Sequence, residues 1–246
     1  MIDLVRSWRQ TDLPTPVKIP AQPMIGSTIP ATCLAAGAQL TERDGRMIVA
    51  LYGSVQGEIA VCMKSVGLAD RSDLGTLELR GSTSLLDRAL ATWLGDPPPA
   101  PGTARRLRGV WYVRLDARRA LLVGQHAALA SGPPVGKGRE RSELQHSDIG
   151  STVSIISAVG PRAGRLLGAV GLDDGLAIGA IARDPRDANV LAILREEQRR
   201  VLIIVRRPAI DALWHRLLGP GEPLEAAFVG CDALTLLDAS SASISG

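Results

Sequence analysis

The residues of this chain that could carry chemistry are few and widely spaced. Asp70 stands in a Gly-Leu-Ala-Asp-Arg-Ser segment at 67–72. There its carboxylate can work as a general acid or base, or it can cap a turn through its side chain. Glu196 and Glu197 stand at the turn of a predicted hairpin, where both acids face solvent unless the turn points inward. No group of these acids specifies a mechanism by itself.

The other reactive side chains do not fall into a recognised pattern. The histidines and cysteines are His126, His146, His215, Cys33, Cys62 and Cys231. None of their spacings matches a metal-binding motif, and Cys231 is better explained as a buried structural cysteine than as a reactive thiol. A glycine- and proline-rich run at 132–138 suggests a phosphate loop, but it lacks the Walker spacing and a Ser or Thr after Lys137. We interpret it as a linker and predict no metal site.

Composition limits the classes of protein that this chain can represent. Its 246 residues, 46% of them hydrophobic, suffice for one large domain or two closely packed lobes. Aromatic residues make up only 3% and the net charge is +3, so a nucleic-acid partner is not favoured. Three unpatterned cysteines fit a reducing cytoplasm. No apolar run is long enough to span a bilayer, and the first ten residues lack a secretory apolar core.

Two segments repeat one pattern, which is an alternating apolar stretch, a glycine and an amphipathic helix. The first copy covers 76–95 and is followed by a hairpin pattern over 110–124. The second copy covers 151–171 and is followed by a hairpin pattern over 190–205. A duplicated strand–helix–hairpin unit predicts an α+β fold with two similar lobes.

The same pattern predicts how the chain is divided. The predicted segments are a proline-rich arm at 1–30, a first α+β lobe at 31–130, a linker at 131–147 and a second α+β lobe at 148–246. The predicted core positions are Leu85, Leu90, Leu166, Leu167, Ile203, Val205, Leu213 and Leu217. We also predict a final helix over 226–237.

Short motifs match those of a known family in a consistent order. They are Tyr52-Gly53 after a strand, the Gly-Leu-x-Asp-x-Ser turn at 67–72, Gly-Pro-x-Ala at 160–163 and Gly-x-x-Ala at 230–233. In these motifs and in its duplication the chain resembles the folate-binding domain of the glycine cleavage T-protein, an aminomethyltransferase. The resemblance implies the duplicated α+β lobes of that domain, without the family's C-terminal barrel.

Two further segments resemble a smaller relative within this family. The strand at 119–124 reads Arg-Ala-Leu-Leu-Val-Gly, and the helix at 209–218 contains Leu213-Trp214. Both are similar to segments of the gamma subunit of heterotetrameric sarcosine oxidase, which also lacks the barrel domain. This second resemblance implies that the chain works beside a larger oxidase subunit.

The resemblance implies which residues form a site. It assigns a catalytic role to Asp70 and cofactor-binding roles to Tyr52, Trp111, Tyr112, Arg195 and Glu196. The family has an acidic pair before its first hairpin, where this chain has Trp111 and Tyr112. Because neighbours on a strand point to opposite faces, only one of these two should face the cavity. There it either stacks on a pterin ring or plugs the channel.

Two functions follow from the resemblance. The first, slightly preferred, is tetrahydrofolate-dependent one-carbon transfer, with tetrahydrofolate as the cofactor and a small-molecule amine as the substrate. The second is a non-catalytic gamma-like subunit that supports a larger oxidase subunit. The missing acidic pair favours the second function, whereas the cofactor bound by this fold in the family favours the first. Whether the chain is an enzyme is left open by the sequence.

Overall fold

The computed structural model describes residues 29–94, 97–130, 144–172, 175–184, 186–220, 224 and 226–242. The predicted proline-rich arm lies outside the described residues except for Ile29 and Pro30, and so do positions 131–143 of the predicted linker. The phosphate-loop-like run at 132–138 therefore also lies outside them. In the described part of the chain, no helix is both long and apolar enough to cross a membrane.

Helices and strands alternate along the described chain. The helices are α1 (Ala31–Ala35), α2 (Val55–Lys64), α3 (Thr83–Leu94), α4 (His126–Ala130), α5 (Ala163–Ala169), α6 (Ile210–Leu218) and α7 (Cys231–Ala242). The strands are β1 (Gln39–Arg43), β2 (Arg46–Leu51), β3 (Val66–Asp70), β4 (Leu74–Arg80), β5 (Thr103–Leu107), β6 (Val110–Asp116), β7 (Arg119–Gln125), β8 (Gln145–Asp148), β9 (Val153–Val159), β10 (Ile181–Ala182), β11 (Val190–Glu197), β12 (Arg200–Arg206) and β13 (Ala226–Phe228).

Two sheets pack face to face and are covered by helices on their outer sides. The five-stranded sheet has the order β5-β6-β7-β4-β8, and the six-stranded sheet has the order β10-β11-β12-β9-β3-β13. The side chains that fill the space between them include Trp111, Val113, Leu121, Val123, Ile155, Ala192, Leu194, Leu202 and Ile204. Helices α3 and α4 pack on the outer face of the first sheet, and α1, α5 and α6 pack on that of the second. Because successive side chains of a strand point to opposite faces, one face of each sheet lies in the apolar layer between the sheets and the other lies under the helices.

The predicted duplication is present in the topology. The unit β4–α3–β5–β6–β7 and the unit β9–α5–β10–β11–β12 have the same chain order and the same strand order within their sheets. Both central strands pair with the last strand of their own hairpin, β4 with β7 and β9 with β12. The α+β fold with duplicated strand–helix–hairpin units is therefore as the sequence predicts.

The two units also exchange strands. Strand β3, which leads into β4, lies in the six-stranded sheet and pairs antiparallel with β9. Strand β8, which leads into β9, lies in the five-stranded sheet and pairs antiparallel with β4. The two pairs have equivalent registers. Gly67 lies opposite Val159, the last residue of β9, and Gln145 lies opposite Arg80, the last residue of β4. The division into lobes at 31–130 and 148–246 stays a prediction about sequence segments. Strand β3 of the first segment lies in the six-stranded sheet, and β8 begins at Gln145, within the segment predicted as the linker.

The core agrees with the sequence at most positions. Seven of the eight predicted core residues are buried, and Leu85 is only half-buried. Leu86, beside it on α3, is fully buried. The prediction of one helix over 226–237 was wrong, because Ala226–Phe228 is a strand parallel to β3 and helix α7 begins at Cys231. Three residues are too few for the apolar periodicity to distinguish a strand from a helix.

Candidate functional site

The candidate site lies where the two exchanged strands turn from one sheet to the other. Asp70 ends β3 and Asp148 ends β8, at equivalent register positions opposite Ile156 and Leu77. Each carboxylate accepts a hydrogen bond from the backbone N–H two residues later, Ser72 at 3.3 Å and Gly150 at 2.8 Å. These are Asx turns, in which the side chain replaces a backbone turn acceptor. The two acids differ in burial, because Asp70 is 2% exposed while Asp148 faces solvent.

A partly open cavity of about 20 Å³ lies beside Asp70. Its polar lining comes from both units and consists of Arg46, Arg71, Ser72, Thr76, Ser154 and Arg207. The cavity has room for a water-sized group. It is therefore a small polar site at the crossing of the two units.

The arginines around this cavity differ in whether a carboxylate binds them. Arg71 is held by Asp73 in a two-point ion pair, with Nε to Oδ1 at 2.9 Å and Nη2 to Oδ2 at 3.0 Å. Arg207 donates through Nη2 to the carbonyl oxygens of Gly150 and Val153, at 2.9 and 3.3 Å. Arg71 is therefore neutralised by its neighbour, whereas Arg207 is bound only to neutral carbonyl groups in these contacts.

Burial changes the acid–base properties of two of these groups. It raises the pKa of Asp70 from 3.8 to about 6, although hydrogen bonds from Ser72 oppose the shift. Burial lowers the pKa of Arg207, and the nearby Arg46 lowers it further while Asp70 opposes it. The groups that interact electrostatically with Asp70 are Arg71, Asp73, Arg207, Cys33, Tyr52 and Cys231. A carboxyl with a pKa near 6 can both donate and accept a proton close to neutral pH.

A second polar contact lies between the sheets. The Trp111 indole donates through Nε1 to Oε1 of Glu196 at 2.6 Å, and both side chains are more than 90% buried. Burial raises the pKa of Glu196, although Arg71 and Arg200 lower it. The pairing of β11 with β12 shifts register next to Glu196, and such an irregularity can redirect a side chain. Glu196 thus points inward, while Glu197 beside it is exposed.

The remaining predicted site residues lie elsewhere. Tyr112 points to the opposite face of β6 from Trp111 and packs under α3, with its ring centroid 6.3 Å from that of Trp93. The ring centroid of Tyr52 lies 5.0 Å from that of Phe228, and burial raises the pKa of the Tyr52 hydroxyl. Arg195 donates to the carbonyl oxygen of Gln198 at its own hairpin turn. Of the six predicted site residues only Asp70 lines the cavity, because alternation and strand position send the others to different layers. The roles assigned to all six stay predictions.

Sequence reasoning missed three residues of the cavity, Thr76, Ser154 and Arg207. Thr76 and Ser154 lie on the central strands β4 and β9, and Arg207 directly follows β12. A hydroxyl inside an otherwise apolar strand, as in the Val-Ser-Ile-Ile run at 153–156, is the signal that could have found Ser154. No local signal indicates that these three positions meet, since they belong to different strands.

Comparison with known proteins places the fold. No protein-family model matches the chain, and no curated protein matches it. Among solved structures, the chain is similar to glycine cleavage system aminomethyltransferase T from Bartonella henselae, with 19% identity and a TM-score of 0.66 over 82% of this chain. It spans 58% of the length of that protein. It is also similar to a chain of heterotetrameric sarcosine oxidase from Corynebacterium sp. U-96, with 18% identity and a TM-score of 0.50. That match covers 70% of this chain and 93% of the other. At this identity the likeness establishes the fold, which is the one that the sequence motifs imply.

Proposed function

We propose that this chain is a non-catalytic subunit that supports a larger oxidase subunit, using an aminomethyltransferase fold as a structural module. The observation that carries the proposal is the buried hydrogen bond between Trp111 and Glu196. Trp111 stands where the T-protein family has an acidic pair. In this chain the one buried acid of the second hairpin turn is already used by a side chain of the protein itself.

Tetrahydrofolate does not fit the described residues. A pterin presents paired donors, and leaving such donors unpaired in a buried site costs about 1–3 kcal/mol each. Glu196 is the inward-facing acid that could meet them, but its Oε1 accepts from Trp111 at 2.6 Å, which leaves only the buried Oε2 without a partner. The space between the sheets at Trp111 is filled by apolar side chains. The cavity beside Asp70, at about 20 Å³, is of the size that holds water molecules, far less than a bicyclic ring needs.

The structural likeness to a chain of heterotetrameric sarcosine oxidase supports the same proposal. The likeness extends over 70% of this chain, with a TM-score of 0.50. Because a fold by itself does not specify a function, binding measurements provide the test.

Calorimetry with tetrahydrofolate tests the proposal on the purified full chain. We expect no saturable binding at ligand concentrations on the order of 1 mM, so any binding free energy should be weaker than about −4 kcal/mol. Saturable binding with one site per chain would contradict the proposal. Co-expression with a large subunit of the sarcosine oxidase type provides the positive test. We expect the two to co-purify as a complex, whereas a chain that remains alone and binds tetrahydrofolate would favour the enzyme.

One observation favours a second function, tetrahydrofolate-dependent one-carbon transfer from a small amine. Asp70 lines the cavity, and its pKa is raised to about 6, in the range that suits a general acid or base. If this function is correct, consumption of the amine should depend on tetrahydrofolate and should be lost in Asp70→Asn without a fall in the thermal midpoint. A fully active Asp70→Asn variant would leave Asp70 as a turn cap.

A further inference from the structure

We infer that the exposed edge of strand β8 pairs with the same edge of a second copy of this chain, which joins two five-stranded sheets into one antiparallel sheet across a two-fold axis. The inference does not depend on the subunit function, because it concerns β8 and not the contact between Trp111 and Glu196. It rests on open backbone groups, on the equivalence of β8 with β3, and on the complementary side chains that one register brings together.

Strand β8 is an open edge of the five-stranded sheet. It pairs with β4 on one side, and all four of its residues are exposed. The N–H of Ile149, directly after β8, donates to the carbonyl oxygen of Thr76 on β4 at 3.0 Å. Since successive residues alternate, the backbone groups of Ser147 also point to β4, whereas those of His146 and Asp148 point away from it. No described residue binds these outward N–H and C=O groups.

The equivalent edge of the six-stranded sheet carries a further strand. Strand β3 holds the position that β8 holds in the other sheet, and β13 pairs with it. The carbonyl oxygen of Leu68 on β3 accepts from the N–H of Val229 at 3.0 Å. His146 is the counterpart of Leu68 on β8. The fold thus accepts a strand at this position in one sheet, and β8 offers the same backbone groups in the other. The strand contains neither Pro nor Lys, and its pairing with β4 has no bulge, so it lacks these common barriers to edge pairing.

One two-fold register pairs both outward residues of each β8 strand. It places His146 opposite Asp148 of the second copy, and each such pair exchanges two N–H···O=C bonds. By symmetry the register forms four backbone hydrogen bonds, with Ser147 opposite Ser147 of the second copy between them. A shift of two residues in one direction places Asp148 opposite itself, where like charges repel. A shift in the other direction leaves Asp148 opposite a residue outside β8.

The side chains are complementary in this register. His146 and Asp148 lie on one face of β8, so across the axis their Cβ atoms would lie about 5 Å apart. Asp148 accepts from the N–H of Gly150 through Oδ1 at 2.8 Å and interacts electrostatically with His126 of α4. Its Oδ2 can therefore accept from the imidazole of His146. On the other face the two Ser147 hydroxyls meet, and each can donate or accept. The edge is thus complementary to itself, as a two-fold contact requires.

Sedimentation velocity of the full chain between about 10 µM and 1 mM tests the association. A four-residue edge buries less surface than a stable dimer needs, so we expect reversible dimers with a dissociation constant on the order of 0.1 mM. His146→Asp places a carboxylate opposite Asp148 twice in the dimer and should weaken association by about 10-fold or more. His146→Lys keeps opposite charges and should associate at least as tightly as the wild type. His215→Asp makes the same change at an exposed histidine of α6 and should have no effect.

Cysteine cross-linking tests the register. Ser147→Cys brings two thiols together at a Cα–Cα distance of about 4.5 Å, which a disulfide can span. Diamide takes up the two protons and two electrons, so a disulfide-linked dimer should form. Gln145→Cys is the matched control, because its two thiols would lie about 13 Å apart along the strands and should stay unlinked. The native cysteines Cys33, Cys62 and Cys231 are buried and should not react.

A chain that stays monomeric up to about 1 mM would overturn the inference. A wild-type dimer that His146→Asp leaves unchanged would overturn it as well. Equal cross-linking of Gln145→Cys and Ser147→Cys would contradict the register and with it the pairing of His146 with Asp148. If a bound larger oxidase subunit, and not the chain's own concentration, protects the Ser147→Cys thiol from alkylation, the edge belongs to that subunit and the second copy is excluded.

Discussion

Asp70 and Asp148 hold equivalent positions in the two units, and both accept a hydrogen bond from the backbone N–H two residues later. Only Asp70 is buried, and burial raises its pKa to about 6. A local turn motif can therefore be the same in two copies while the surrounding packing gives one copy a different chemistry. The equivalent pair also provides a matched control for substitutions.

Asp70→Asn should raise the free energy of unfolding above that of the wild type, and this gain should be larger at pH 7.5 than at pH 5. The folded-state pKa of about 6 lies above the ordinary 3.8, so the wild type loses stability as pH rises from about 4 to above 6. The whole loss is roughly 3 kcal/mol, and roughly 1.4 kcal/mol of it falls between pH 5 and pH 7.5. Denaturant unfolding at both pH values measures it. Asp148→Asn, at the exposed equivalent, should show no such difference between the two pH values, and an equal effect for both variants would contradict the burial argument.

Trp111→Phe should destabilise the protein by about 1–3 kcal/mol, because it keeps most of the ring but leaves the buried Glu196 oxygen without its donor. Glu196→Gln should cost less, since an amide oxygen can still accept from the indole and the buried charge is removed. Urea unfolding of the two variants and the wild type provides the comparison. A larger loss in Glu196→Gln than in Trp111→Phe would show that the charge, and not the hydrogen bond, stabilises this contact.

At the scale of single elements, the short strand β13 is held in place by a close approach of backbone to backbone. Gly230 follows it, and a Cβ at this position would lie 1.9 Å from the carbonyl oxygen of Ala50. Gly230 also donates its N–H to Oε2 of Glu58 at 2.7 Å, while Oε1 of Glu58 accepts from Tyr52 and Gly53. One buried carboxylate on α2 thus fixes two segments that are far apart in the sequence.

Gly230→Ala should therefore destabilise the protein by more than the 1–3 kcal/mol that is common for overpacking, because backbone atoms cannot move aside as a side chain can. Thermal unfolding measures the loss. Gly53→Ala is the matched control, since a Cβ at Gly53 meets nothing within 4 Å. If the two variants have the same midpoint, the close approach at Ala50 does not constrain the fold.

At the scale of the whole molecule, the exchange of β3 and β8 makes the two units depend on each other. Strand β3 pairs with β9 of the second unit, and β8 pairs with β4 of the first. A unit cut from its partner would leave the edge of a central strand unpaired and an apolar sheet face uncovered. Duplication of the sequence therefore does not imply two independently folding domains.

Fragments covering 1–143 and 144–246 should not fold separately, and they should regain structure when mixed in equal amounts. Each fragment lacks the strand that the other contributes to its sheet and half of the apolar layer between the sheets. Circular dichroism during heating measures whether a cooperative transition is present in each fragment and in the mixture. A cooperative transition in either fragment alone would mean that the exchanged strand is not required.

The sequence by itself determined the α+β class, both hairpins, the duplicated unit and most of the core. These features depend on residues close together in the chain, such as the alternation in β11 and β12 or the apolar stripe of α6. Even there, Leu85 is only half-buried while Leu86 beside it is fully buried. Periodicity thus indicated which face of an element is apolar, but not how deeply each residue of that face is buried.

Only the tertiary structure decided the strand exchange, the direction of Glu196 and the makeup of the cavity. Trp111 and Glu196 meet across 85 residues of chain, and Ser154 lines the same cavity as Asp70 because β3 crosses to the other sheet. No local pattern records such meetings, because the free energy that selects them comes from packing the two sheets together and not from either strand alone. The same physics explains why Asp70, a turn cap by its sequence, lies buried beside a cationic cavity.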